Sequence, residues 1–206
     1  MAFVKNKTEV ITYEAIDDIT QAMKLYNDTS DFDHLSFIVE SVINLDGGAD
    51  FLVEQLQHKE TPKNLSAFMA AQLGQMPSRE APIEKIMELL KLKNAYIRNL
   101  GISILQNFGE AIKYYIVKFL IGDDKDLRIF AVNVLGDVNF AESRDMLIEL
   151  LESEKDINVA MTAVDYMAEI GQIEDIPQLE LIKKRFEDEP YVGFAIDRAI
   201  ECIKGE

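Results

Sequence analysis

A block of ten residues with the spacing of an apolar helix face recurs along this chain at intervals of 30 to 32 residues. Its clearest copy is Leu127-Arg-Ile-Phe-Ala-Val-Asn-Val-Leu-Gly136. There Leu127, Phe130, Ala131, Val134 and Leu135 fall on one side of a helix. Further copies begin at Leu35, Leu65, Ile97, Val159 and Tyr191, so the successive steps are 30, 32, 30, 32 and 32. A fixed period of this length is the mark of a repeat architecture and takes precedence over any single motif.

The starts of the blocks support the same phase. Three residues ahead of the last four stand Asn94, Asp124, Asp156 and Asp188, side chains that accept from the free N–H groups of a helix start. The second block has Thr61 followed by Pro62, a cap and a proline suited to a first turn. The first has Ser30 with Asp33 three residues on, a weak capping box. Gly136 is expected to relax the end of its helix. A second helical pattern precedes each block: Ile16, Ile19, Met23 and Tyr26; Phe51, Leu52 and Leu56; Ile83, Ile86, Met87, Leu89 and Leu90; Ile112, Ile116, Phe119 and Leu120; Met146, Leu147, Leu150 and Leu151; Leu179, Ile182 and Phe186. Neither helix of such a pair can bury its apolar face alone, so the pairs must stack. No alternating stretch reads as a strand.

The expected fold is therefore all-α, an α-α superhelix (solenoid) of about six helix pairs in a single domain, 1–206. Its units are approximately 8–46, 47–77, 78–109, 110–140, 141–172 and 173–206, with the first and last as caps. The fifth block position holds Val39, Met69, Gly101, Ala131, Ala163 and Ala195. Four of these six are Gly or Ala, small enough for neighbouring helices to approach closely.

A helix pair, an Asp-rich turn, an apolar-Arg pair and a closing Leu-Gly together resemble the HEAT repeat. The best stretch is Gly122-Asp-Asp-Lys-Asp-Leu-Arg-Ile-Phe-Ala-Val-Asn-Val-Leu-Gly136. The resemblance covers roughly residues 8–204, and it weakens in the long first unit and in the last, which lacks the arginine. In length and compactness the chain looks closest to the bacterial phycobilisome-lyase-type HEAT repeats. That likeness implies, as an alternative to an adaptor, a bilin lyase or isomerase subunit that handles tetrapyrroles within a heterodimer. A structural subunit of a larger complex is a third reading.

Arg98 and Arg128 occupy equivalent places in successive units. The HEAT resemblance implies a structural ladder, in which these arginines bridge turn acids such as Asp123, Asp124 and Asp126. The other reading makes them anion receptors, since guanidinium suits planar carboxylates.

The net charge is -16 and the acidity is spread along the chain: residues 1–78 hold 12 acids against 5 bases. Such a surface repels phosphate backbones and disfavours nucleic acid. It attracts basic peptides and proteins, although solubility alone also explains it. Lys183-Lys184-Arg185 is expected to be a solvated helix end, where cations suit the dipole. The HEAT-like DNA glycosylases, which share this architecture, rely on a basic concave surface that this chain lacks.

The single cysteine, Cys202, permits neither an intrachain disulfide nor a cysteine metal cluster. It is expected in the last apolar stripe. His34 and His58 lack the ligand spacing of a zinc site, and Gly47-Gly48 reads as a turn rather than a phosphate loop. No catalytic residue, cofactor or metal ligand is assigned. The N-terminus lacks the apolar run of a signal peptide, and no stretch approaches the ~20 apolar residues of a membrane span. The expectation is a cytoplasmic protein without membrane insertion.

The seventh block position is expected to face outward along a concave wall. It holds Ser41, Ala71, Ser103, Asn133, Asp165 and Asp197. Asn99, Gln106, Met161, Tyr166, Glu169 and Glu201 lie a turn away or beside it. The column is small and polar early and acidic late. Asn99, Ser103, Asn133, Met161, Asp165, Tyr166, Glu169, Asp197 and Glu201 therefore form the expected site for another protein or peptide of basic character. A solvated helix face is the plain alternative. Asp165 and Asp197 repel each other unless a cation or a partner sits near. Phe3, Val4 and Ile203 read either as fraying termini or as a dimer contact, so the oligomeric state stays open.

Overall fold

The structure, a computed structural model, describes residues 13–138 and 140–205; Phe3 and Val4 lie outside them. Twelve helices of ordinary length follow in order: α1 (Ile19–Asp28), α2 (Phe32–Val42), α3 (Gly48–Gln57), α4 (Lys63–Gly74), α5 (Ile83–Glu88), α6 (Ala95–Gln106), α7 (Lys113–Leu120), α8 (Lys125–Asp137), α9 (Ser143–Ser153), α10 (Ile157–Ile170), α11 (Ile176–Arg185) and α12 (Pro190–Lys204). Short 3-10 turns at Leu89–Lys91, Gly109–Ile112 and Ile173–Asp175 extend α5 and lead into α7 and α11. There is no strand among the described residues. Consecutive helices pack as pairs at α1–α2, α5–α6, α7–α8, α9–α10 and α11–α12, and α3 and α4 follow in the same order, so that the second helices are α2, α4, α6, α8, α10 and α12. The fold is an all-α solenoid.

Side chains set the helix starts. Asp124 accepts from the N–H groups of Asp126 and Leu127, and Asp156 from those of Asn158 and Val159. Asn94 accepts from Tyr96. Two starts differ from expectation. Asp31, not Ser30, caps α2 by accepting from His34 N–H. Asp188 caps nothing: Pro190 opens α12 after Glu189, which makes no side-chain cap bond. A proline at the first turn carries no N–H to satisfy, so the start needs less help.

The chain divides into two compact units between Gln72 and Leu73, inside α4. In the first unit, Leu35, Ile38, Val39 and Val42 of α2 are buried, as are Phe51, Leu52, Val53 and Leu56 of α3. The α2–α3 turn needs both of its glycines. Gly47 has φ 75, the left-handed region that glycine enters without strain. A Cβ on Gly48 would stand 1.8 Å from the Val42 carbonyl oxygen. The Thr61 hydroxyl donates to the Gln55 carbonyl at 2.7 Å, tying the approach to α4 back to α3.

In the second unit, α6, α8, α10 and α12 pack in sequence, each against the next. Among the first helices, α5 packs on α7 and α9 on α11. Small residues set the spacing, as expected. Gly101, Ala131 and Ala163 are buried, and a Cβ on Gly101 would lie 3.0 Å from Leu89 Cβ. Gly136 has a different role from the expected one. The helix runs on to Asp137, and a Cβ at Gly136 would fall 2.0 Å from the ring of Tyr166. Its glycine makes room for that ring. Cys202 also departs from expectation. It is exposed, because the buried stripe of α12 runs through Val192, Ile196, Ala199 and Ile200 and leaves position 202 to the side.

Candidate functional site

The expected binding residues all lie in the second unit, on the successive helices α6, α8, α10 and α12. Asn99, Ser103, Asp165, Glu169, Asp197 and Glu201 are exposed, while Asn133, Met161 and Tyr166 are half-buried. Hydrogen bonds tie neighbouring helices together along this face. The Tyr166 hydroxyl donates to Asn133 Oδ1 at 3.4 Å. Gln106 Nε2 donates to the Asn133 carbonyl at 3.1 Å and to Asp137 Oδ2 at 2.6 Å. Asp137 was not among the expected residues. Its place one turn after Asn133, right behind the glycine that receives Tyr166, was the available signal. The Tyr166 phenol is held above its ordinary pKa, first by burial and then by the charges of Asp137, Glu169 and Asp165. Three carboxylates from α8 and α10 thus act on one ring.

Asp197 is placed differently. Lys183 of α11 donates to Asp197 Oδ1. The cation that Asp197 called for is supplied by the chain itself, from the cluster expected to be solvated. Arg185 of that cluster is also engaged: it donates to the carbonyls of Leu151, Glu152 and Glu154 at the end of α9. Unpaired C-terminal carbonyls of a helix need such donors.

The arginine ladder takes a form the sequence did not specify. Arg128 reaches none of the expected carboxylates, Asp123, Asp124 or Asp126, with its ion pair; Asp124 is committed to the α8 cap. Arg128 instead meets Glu154 of the next unit through two hydrogen bonds, Nε at 2.7 Å and Nη2 at 3.1 Å. It also donates to the carbonyls of Gly122 and Asp123. Glu154 accepts further from the N–H groups of Lys155 and Asp156. The side chains of Arg128 and Glu154 are only 15% and 3% exposed. Burial pushes the Glu154 carboxyl up, but the Arg128 guanidinium and the two N–H groups outweigh it and leave the pKa below its ordinary value.

A second pair, absent from the sequence reading, joins Arg144 of α9 to Asp175 ahead of α11 at 2.7 and 2.8 Å. The Asp175 carboxyl is likewise low: burial raises it, and Arg144 with the Gln172 N–H more than offsets that. Arg98 lacks such a carboxylate. Gly122, two residues before the cap Asp124, stands where Glu154 stands before Asp156. Arg98 donates to the Leu92 carbonyl at 2.7 Å and lies over the Phe130 ring at 4.9 Å, while its buried Nε has no partner.

A cavity of about 500 Å³ opens between α7 and α9, on the first-helix side. Val117, Leu120, Ile121, Met146 and Leu150 supply apolar walls, and the Arg128–Glu154 pair closes one side. The sequence did not point to it. Among the described residues, no group of three or more His, Cys, Asp or Glu is arranged to hold a metal ion. No helix among them is long and apolar enough to cross a membrane.

Residues 115–192 match the family model of HEAT repeats, a stretch that runs from α7 into α12. The likeness to HEAT repeats is thus shown for residues 115–192. No curated protein matches the sequence. Among solved structures, an engineered protein is similar at 19% identity and a TM-score of 0.45, over 93% of this chain and 100% of its own. A second engineered protein is similar at 18% identity and a TM-score of 0.43, over 92% and 98%. A designed armadillo repeat protein is similar at 15% identity and a TM-score of 0.43, over 90% and 100%. Within the HEAT stretch lie both buried ion pairs, the cavity, and the carboxylates around Tyr166.

Proposed function

We propose that this HEAT-repeat chain is a non-enzymatic interaction scaffold. It holds another protein or peptide on the outward face of α6, α8, α10 and α12, where basic groups of the partner meet Asp137, Asp165, Glu169, Asp197 and Glu201. Asn99, Ser103, Asn133, Met161 and Tyr166 supply the polar and aromatic contacts between. The observation that carries this reading is the convergence of three carboxylates on Tyr166, since like charges gathered on one patch raise the local attraction for cations. The half-buried Tyr166 adds an aromatic contact of the kind enriched in interfaces, and the acids around it are complementary to a basic segment. The phycobilisome-lyase alternative has no such support in the site.

Affinity capture from the native lysate tests the reading. Asp165→Lys with Glu169→Lys reverses the patch and leaves the Lys183–Asp197 pair intact; Asp165→Lys with Asp197→Lys reverses the longer column. The partner is expected to bind wild type and to be lost by both variants, with helicity by circular dichroism unchanged. It should also be released between about 0.1 M and about 1 M salt, where the Debye length falls from about 10 to about 3 Å. A partner retained by both variants would move the interface off this face.

A further inference from the structure

We propose that the cleft between α7 and α9 is a second docking surface, and that its occupant is an amphipathic basic helix of another protein. This surface lies on the first helices and is separate from the face assigned above. It rests on the scaffold reading only in supposing that the chain binds proteins.

The first-helix layer of the second unit opens here. α5 packs on α7 and α9 on α11, but α7 and α9 make little direct contact, and the cavity of about 500 Å³ lies between them. The two helices that bound it each carry an exposed row, and the rows differ in chemistry. On α7 and its C-cap, Tyr114, Val117 and Ile121 follow the i, i+3, i+7 spacing of one helix face. They are 82%, 37% and 78% exposed. Large apolar groups held open to water in a row favour burial against a partner. On α9, Asp145, Glu149 and Glu152 follow i, i+4, i+7 and are all exposed, and of the three Glu149 lines the cavity. Asp145 has Arg144 at 3.7 Å. Glu149 and Glu152 make no ion pair with a described residue, so their charges are open to a visitor.

Both rows run over eight residues, seven steps or about 10 Å along a helix at 1.5 Å per residue, a length that a partner helix of three turns would match. Its apolar face would meet Val117, Ile121, Met146 and Leu150, and its lysines or arginines would meet Glu149 and Glu152. Packing of an apolar helix face into a groove is a recurrent mode of recognition, with anchors at i, i+3, i+4 and i+7. The opposite polarity does not fit: an acidic helix would set its charges against Glu149, Glu152 and Asp123. Of the cations near, Arg128 is held by Glu154, Lys113 by Glu142 and Lys125 by Asp156, while Lys155, which also lines the cavity, stands against the two acids Asp123 and Glu149 of the same lining.

The test uses the full chain and a labelled peptide of about 18 residues, built of Leu and Lys with leucine at helical spacing on one face. A scrambled peptide of the same composition is the control, and fluorescence anisotropy reads the affinity. The ordered peptide is expected to bind wild type at least about tenfold tighter than the scrambled one. Ile121→Asp, and separately Glu149→Lys with Glu152→Lys, should each weaken it by about tenfold or more. Asp165→Lys with Glu169→Lys should leave it unchanged. All these positions are exposed or half-buried, and circular dichroism checks that the variants fold. Methyl shifts at Ile121 and Met146 should move on titration.

Equal binding of both peptides, or no effect of the cleft variants, would overturn the assignment in favour of general attraction to an acidic surface. Loss with Asp165→Lys/Glu169→Lys alone would do the same and would favour the second-helix face. No binding to wild type would reject a basic helix as occupant, while leaving the scaffold reading to the lysate experiment.

Discussion

Gly136 and Glu154 show how single residues are held by groups far off in sequence. In an exposed helix interior, Gly→Ala gains about 1 kcal/mol of helix propensity. At Gly136 the added methyl meets the Tyr166 ring at 2.0 Å, and overpacking of this kind costs about 1–3 kcal/mol. The clash is expected to win, so Gly136→Ala should lower the urea midpoint. In a Tyr166→Ala background the same change should raise it, and a double-mutant cycle measures the coupling. Glu154 is the more demanding case. Its near-complete burial means that removing it strands the Arg128 charge, so Glu154→Ala should cost about 3–5 kcal/mol in equilibrium unfolding. Exposed pairs such as Arg79–Glu80 carry no such expectation.

At the scale of the element, four of the second helices, α2, α6, α8 and α10, begin where a short polar side chain accepts backbone donors, and the geometry sorts real caps from apparent ones. Asp124→Ala and Asp156→Ala should each cost about 0.5–2 kcal/mol, because each carboxylate accepts two N–H groups. Asp188→Ala should stay within about 0.5 kcal/mol, since Pro190 opens α12 without it. Thermal melts of the three variants check the contrast; equal losses at all three would refute the assigned start of α12. The first helices are less regular than the second. Two of the four in the second unit, α7 and α11, begin in a 3-10 turn, and α5 ends in one. Such turns shift the angle of a helix, which is consistent with the gap between α7 and α9.

For the molecule, the last three helix pairs are laced by charge: Arg128 to Glu154, Arg144 to Asp175, and Arg185 to the carbonyls ending α9. Each repeat contacts only its neighbours, so such links set how far unfolding spreads along the array. They also set the acid response. Glu154 and Asp175 have folded-state pKa values below their unfolded ones. Their contribution is therefore complete above the unfolded values, about 4, and is lost as the pH falls through the lower folded values. Stability should drop steeply below about pH 4. Glu154→Gln with Asp175→Asn should be less stable at neutral pH but should show a flatter pH dependence in that window. An unchanged slope would mean that other carboxylates carry the acid transition.

How much of this was legible in the sequence follows from what is local. The period, the helix pairing, three of the caps, and the small residues at Gly101, Ala131 and Ala163 were all readable, because an apolar face and a cap depend on neighbours within a turn or two. The expected outward residues Asp165, Glu169, Asp197 and Glu201 are indeed exposed, for the same reason. What the stacking alone decided is everything that joins one unit to the next. Arg128 finds Glu154 at 26 residues' distance rather than the acids beside it, Lys183 reaches back to Asp197, and Tyr166 lies on Gly136 under the charge of Asp137. The gap that turns α7 and α9 into a cleft is of this kind too. Such contacts depend on the angle and offset between helices, which arise from the fit of whole faces and leave no periodic trace in the chain.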